Sequence, residues 1–229
     1  MELNSDFTKR VVVHSDRLEW SPSPMTGVER RMLDRLGDEV ARATTIVRYA
    51  PKSKFSPHVH SGGEEFMVLE GVFQDEHGDY PAGSYIRNPP QSSHTPSSED
   101  GCIIFVKLWQ FDLQDRHGVR ISPHEMTEVK DAQRADVMVT PLFKDEREEV
   151  RLETWSANTE VKIEASQGAE ILVLSGSFVE GDDELVTNSW LRVPVNSQIK
   201  AKVGDRGAKV WLKTGHLPFV TVPNSEITG

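Results

Sequence analysis

The chain has 229 residues, of which 26 are Lys or Arg and 36 are Asp or Glu, for a formal charge of −10. That balance argues against a phosphate-binding surface, so nucleic acid is not an expected direct partner. Apolar residues make up 37%, which suffices for a packed core and exceeds what a disordered chain carries. No apolar run approaches the ~20 residues that cross a bilayer. The opening stretch breaks its one apolar triplet at His14, Ser15 and Asp16, unlike a secretory leader. Cys102 is the single cysteine; it forbids an internal disulfide and fits a reducing compartment. A soluble, cytoplasmic protein without a membrane partner is expected.

In chain order, VERRMLDRL (28–36) is ambiguous between helical and strand spacing and is read as a strand, on the alternation of Val28, Arg30 and Met32. ATTIVRY (43–49), EFMVLEGVF (65–73), SYIRN (84–88) and CIIFVKLWQF (102–111) are β-branched and aromatic runs closed by Gly, Pro, Asn or Asp. Such closely spaced runs, with no long helical pattern between them, predict an all-β sandwich or barrel.

The sequence also repeats. At an offset of 105 residues EFMVLEGVF, starting at Glu65, overlies EILVLSGSF, starting at Glu170. The same offset matches Gly71 to Gly176, Ser84 to Ser189, Tyr85 to Trp190, Arg87 to Arg192 and Pro89 to Pro194. Constant register over two separated blocks predicts two copies of one β domain, 1–120 and 121–229, joined by the polar stretch ISPHEMTEVKDAQRADV.

The chemistry concentrates in FSPHVHSGGEEFMVLEGVF. His58 and His60 are two residues apart, so on a strand both imidazoles leave the same face and can converge on one ion. Ser61, Gly62 and Gly63 form a turn, after which Glu64 and Glu65 open a second strand that can return a carboxylate to the histidines. Parity across that glycine turn is a weak guide, and Glu65 competes with Glu64. His94 follows RNPPQSS, a proline-rich turn able to hold a fourth ligand.

This arrangement resembles the cupin superfamily, whose first motif is His-x-His, three or four residues, Glu, six residues, Gly. His58, His60, Glu64 and Gly71 fit it, and counting back from Gly71 favours Glu64. The second motif, Gly, five residues, Pro-x-Gly, two residues, His, is met by Gly83, Pro89 and His94 and departs at Gln91, where the motif has Gly, and further on at Ser98, where it often has Asn. More narrowly, residues 18–111 resemble the zinc-binding cupin domain of the ChrR anti-sigma factors. The resemblance implies an all-β fold of two tandem cupin domains, each a double-stranded β-helix or jelly roll. It implies one divalent metal ion per chain, zinc first and Fe, Mn or Ni as alternatives, on His58, His60, Glu64 and His94. A complete anti-sigma factor of this type adds an N-terminal helical zinc domain with a His and a Cys-x-x-Cys. Those cysteines are missing here, and sigma-factor binding by this chain alone is not expected.

At the offset of 105 the four candidate ligands become Ile163, Ala165, Ala169 and Ile199. The second copy is therefore expected to serve packing, with a dry apolar pocket as the alternative. Cys102 is read as a core thiol. Trp109, Trp155, Trp190 and Trp211 are read as packing residues, and KDEREE (144–149) as a solvated loop. His14, His77, His117, His124 and His216 are given no function. Two functions follow from the resemblance. One is a non-catalytic zinc sensor closed by three His and one Glu. The other is an iron- or manganese-dependent dioxygenase-type oxidoreductase, with open coordination positions for substrate and oxygen. The implied partner is a small molecule or a regulatory protein, and a homodimer is compatible with the charge.

Overall fold

The computed structural model describes residues 1–37 and 40–223. Among the described residues nearly every element is an antiparallel strand, and the only helical turns are three-residue 3-10 turns. Among the described residues no helix is long and apolar enough to cross a membrane. The ambiguous segment is strand Val28–Gly37, paired along its length with Ala41–Tyr49.

The chain divides into two compact units. The first is built on Glu19–Glu125 with Met1–Ser5 added, and the second on Met126–Val220 with Asp6–Leu18 added. This corrects the expected division into 1–120 and 121–229, because residues 6–18 belong to the later unit. The reason is strand Val11–His14, which pairs with Ser189–Val193 in register from Val11 opposite Arg192 to His14 opposite Ser189.

In the first unit the main ladder runs Val119–Ile121, Tyr85–Asn88, Glu64–Asp75, Cys102–Leu108, Ala41–Tyr49, Val28–Gly37, Ser21–Pro22. In the second it runs Val11–His14, Ser189–Val193, Ala169–Glu180, Ser197–Thr214, Glu149–Trp155, Val137–Lys144, Val129–Lys130. The two orders correspond strand for strand. Met67 faces Tyr85 as Leu172 faces Trp190, and Glu65 faces Arg87 as Glu170 faces Arg192. Gly71 and Gly176 share a reason for being glycine. Their φ angles are +70° and +74°, and a Cβ on either would run into the carbonyl oxygen of Gly101 or Gly207.

Each unit has its own core. The first is built around Phe66, Val68, Phe73, Ile86, Ile104 and Val106. Cys102 belongs to the same cluster, and burial pushes its thiol up to about 11, so it stays protonated and unreactive at neutral pH. In the second unit the positions equivalent to the candidate ligands are core residues. Ile163, Ala165, Ala169 and Ile199 are at most 4% exposed and pack in one apolar cluster, with Ile163 directly opposite Ile199. Two other expectations need correction. KDEREE is not wholly solvated, since Glu148 is buried and pairs with the buried Lys213 at 2.8 Å. His216 is also buried and lies 2.8 Å from Glu170, which gives it a structural partner.

Candidate metal centre

Three short pieces of backbone bring the donors together. Val59 is 62% exposed, so strand alternation turns its neighbours His58 and His60 to the opposite side together. Strand His58–Val59 pairs with Ser93–His94, which sets His94 directly opposite His58. The turn carrying Gln91 is clipped on by two backbone bonds of 2.9 Å, from the Gln91 amide to the His60 carbonyl and from the His60 amide to the Ser92 carbonyl. Gln91 adopts φ +70°, the left-handed conformation for which the cupin motif uses glycine. The departure there changes the residue and keeps the turn.

The three imidazole rings are edge-on to one another, with centroids 4.5 to 5.0 Å apart. Donor atoms of His58, His60 and His94 all lie within 4.8 Å of one another, so the three histidines could hold a metal ion. Strand Glu64–Asp75 adds a carboxylate: Glu64 Oε2 lies 3.3 Å from His60 Nε2 and 3.5 Å from His94 Nε2. Glu65 points to the other face, where it is buried and accepts a hydrogen bond of 2.6 Å from the Tyr85 hydroxyl. Trp190 donates to Glu170 in the same way at 3.2 Å in the second unit, so the Glu65 arrangement is a property of the repeated framework.

Hydrogen bonds fix which nitrogen of each ring is bare. The Ser92 hydroxyl donates to the Pro89 carbonyl at 2.6 Å and is left to accept from His60 Nδ1 at 3.0 Å. Asp75 Oδ2 lies 3.3 Å from His94 Nδ1, and the Ser56 carbonyl lies 3.4 Å from His58 Nδ1. Acceptors at all three Nδ1 atoms place the ring protons there and turn Nε2 lone pairs inward. The Nε2 atoms of His60 and His94 are buried with no hydrogen-bond partner. A buried bare lone pair is costly in a protein interior and is satisfied by a cation. The Glu64 spacings of 3.3 and 3.5 Å to the two Nε2 atoms fit as well, since ligands about 2.0–2.1 Å from a tetrahedral ion lie roughly 3.3–3.4 Å apart.

Burial lowers the pKa of His60, against the opposing pull of Glu64, so the ring is neutral at physiological pH. Burial alone would raise Asp75. Its bonds with His94 and the His77 amide outweigh that and hold the carboxylate below its usual range. Asp75 and Ser92 were not legible as site residues in the sequence. Asp75 sits in the polar turn-like run QDEHGD, and no spacing rule ties it to a histidine 19 residues later. Asp75→Asn is expected to keep the fold and weaken metal affinity by about 10- to 100-fold, measurable by competition with a chelating dye. Unchanged affinity would show that His94 needs no carboxylate behind it.

Beside these donors lies a cavity of about 360 Å³, lined by His58, His60 and Glu64 and, among its apolar residues, by Val28, Ile104 and Val106. Trp109 also lines it and, contrary to expectation, stands outside the strand, which ends at Leu108. Trp109 takes φ +58° and lies so close to Gly62 that a Cβ there would enter the indole.

Residues 8–112 match the family model of the ChrR cupin-like domain. No curated protein matches the sequence. Among solved structures, the chain is similar to a putative dioxygenase from Nostoc punctiforme, at 16% identity and a TM-score of 0.77 over 95% of this chain and 87% of that one. It is similar to a cupin 2 conserved barrel domain protein from Leptotrichia buccalis, at 11% identity and a TM-score of 0.59 over 90% and 96% of the two chains. It is also similar to a bacterial pirin from Escherichia coli in complex with nickel(II), at 14% identity and a TM-score of 0.64 over 90% and 98%. These likenesses establish the fold.

Proposed function

Since the chain has the cupin fold and its residues 8–112 match the ChrR cupin-like family model, we propose that it holds one divalent metal ion, zinc, on His58, His60, Glu64 and His94 and senses a small molecule in the adjoining cavity. The observation that carries this reading is the pair of buried, unpartnered Nε2 atoms of His60 and His94 beside the Glu64 carboxylate, on the wall of an apolar cavity. A zinc ion bound there would be closed by the four protein donors, so the incoming molecule would occupy the cavity beside the ion. Asp75 and Ser92 hold the His94 and His60 rings in the ligating tautomer. Asn88 donates to Glu64 Oε2 at 3.3 Å and steadies the carboxylate. The apolar walls limit competing water. The occupied state would be passed on to a regulatory protein, in keeping with the ChrR-like domain. The second unit contributes packing and no second ion, in keeping with its apolar core at the four equivalent positions.

A second reading, an iron- or manganese-dependent oxygenase, is favoured by the same cavity and by the putative dioxygenase of similar fold. Elemental analysis of protein expressed in zinc- and iron-supplemented media separates the two. Zinc near one per chain in every medium, with no oxygen uptake, is the expected result. Iron that follows the medium, together with oxygen uptake, would replace sensing by oxygenation. A chain without bound metal in any medium would remove both readings.

A further inference from the structure

The cavity beside the donors has a second polar feature, on strand Val28–Gly37. Val28 faces Tyr49 and Arg30 faces Val47 across the ladder, and all four residues line the cavity. Alternation turns Arg30 to the same side as Val28, which belongs to the buried core. The neighbouring arginines are engaged elsewhere: Arg31 and Arg48 stack on Trp20, and Arg48 pairs with Glu29. Arg30 has neither kind of partner: among the described residues it forms no ion pair and stacks on no ring, although Glu64 lines the same cavity. Its Nε, like that of Arg31, is buried without a hydrogen-bond partner. Arg30 is half-buried, and with no carboxylate paired to it in a chain of net charge −10 its buried Nε carries a local desolvation cost. A bound anion removes that cost, and the planar guanidinium matches a carboxylate through two parallel hydrogen bonds.

The rest of the cavity defines the body of such a ligand. Phe55, Ile104, Val106 and Leu108 present apolar surface, and a volume of about 360 Å³ lies at the small end of small-molecule sites. We propose that Arg30 anchors the carboxylate of a small apolar organic acid whose other end lies toward His58, His60 and Glu64. This rests on reading those residues as a metal centre that receives a small molecule. Arg30 is a specificity residue here, distinct from the residues that hold the ion.

The test is calorimetric titration of phenylacetate and of its neutral isostere phenylacetamide into the full chain, with zinc measured on every sample. Wild type is compared with Arg30→Gln and with the charge-keeping Arg30→Lys. Phenylacetate is expected to bind wild type more tightly than the amide does. Arg30→Gln should lose about tenfold or more of the acid's affinity, Arg30→Lys should recover part of it, and zinc content should be unchanged throughout. Equal affinity of the acid for wild type and Arg30→Gln, or no preference for acid over amide, overturns the proposal, as does absence of binding by zinc-replete protein at millimolar ligand. A wild type without zinc would remove the metal centre. The acid-against-amide preference of wild type and Arg30→Gln would still decide the role of Arg30.

Discussion

His94→Ala is expected to reduce the bound metal from about one ion per chain to nearly none and to lower the melting temperature of the protein as isolated. His94 is 1% exposed, so its loss removes a donor from a site that bulk water cannot easily complete. It also leaves Asp75 Oδ2, now 3.3 Å from the imidazole, as a carboxylate in a buried setting without its ring partner, which adds a cost beyond the missing ion. The control is Ile199→Ala, at the equivalent position of the second unit, where the side chain is fully buried in an apolar core. That change should cost about 2–5 kcal/mol by leaving a cavity and should leave metal content untouched. Elemental analysis and thermal unfolding of both variants read the two effects separately. Full metal content in His94→Ala would mean that His94 is not a ligand.

Phe66→Ala is expected to be the most damaging change in the first unit, at about 3–5 kcal/mol. Phe66 is 1% exposed, and its ring lies 4.7 Å from that of Phe73. Phe73 in turn lies 5.7 Å from the His94 ring, so the aromatic stack runs from the core to the donors. Truncation should therefore loosen metal binding as well as the fold, and the affinity loss should appear in chelator competition at a temperature where the variant is still folded. A variant that is destabilised yet keeps wild-type metal affinity would show that the stack does not position His94.

Much of the architecture could be read from local pattern. The run 65–73 is a largely apolar and aromatic stretch, buried on both faces from Glu65 to Val68, and its repeat 105 residues later forms the corresponding strand with the corresponding partners. The repeat was visible because positions such as Gly71 and Gly176 answer to one backbone geometry, and Tyr85 and Trp190 to one hydrogen bond. The choice of Glu64 over Glu65 was readable only through the motif spacing back from Gly71, not through strand parity. Parity is lost across Gly62 and Gly63, and only the completed fold shows the two carboxylates on opposite faces. Asp75, Ser92 and Arg30 were not legible as site residues for a related reason. Each acts on a group distant in sequence, and their own surroundings read as turn or framework. The assignment of residues 6–18 failed because strand identity is local whereas strand partnership is not. VVVH reads as a strand anywhere, and nothing near it names Ser189–Val193 as its neighbour.

That strand bears on how the protein is made. Val11–His14 leaves the ribosome well before its partners at 189–192 exist. At about 5–20 residues per second the delay is roughly 9–36 s. During that interval the first unit has all of its own strands, while an apolar segment near the N-terminus has an unpaired edge. Such an edge is a template for pairing with another nascent chain. Fragments that stop near residue 125 should therefore be more prone to aggregate than the whole chain, and deleting residues 6–18 from them should relieve it.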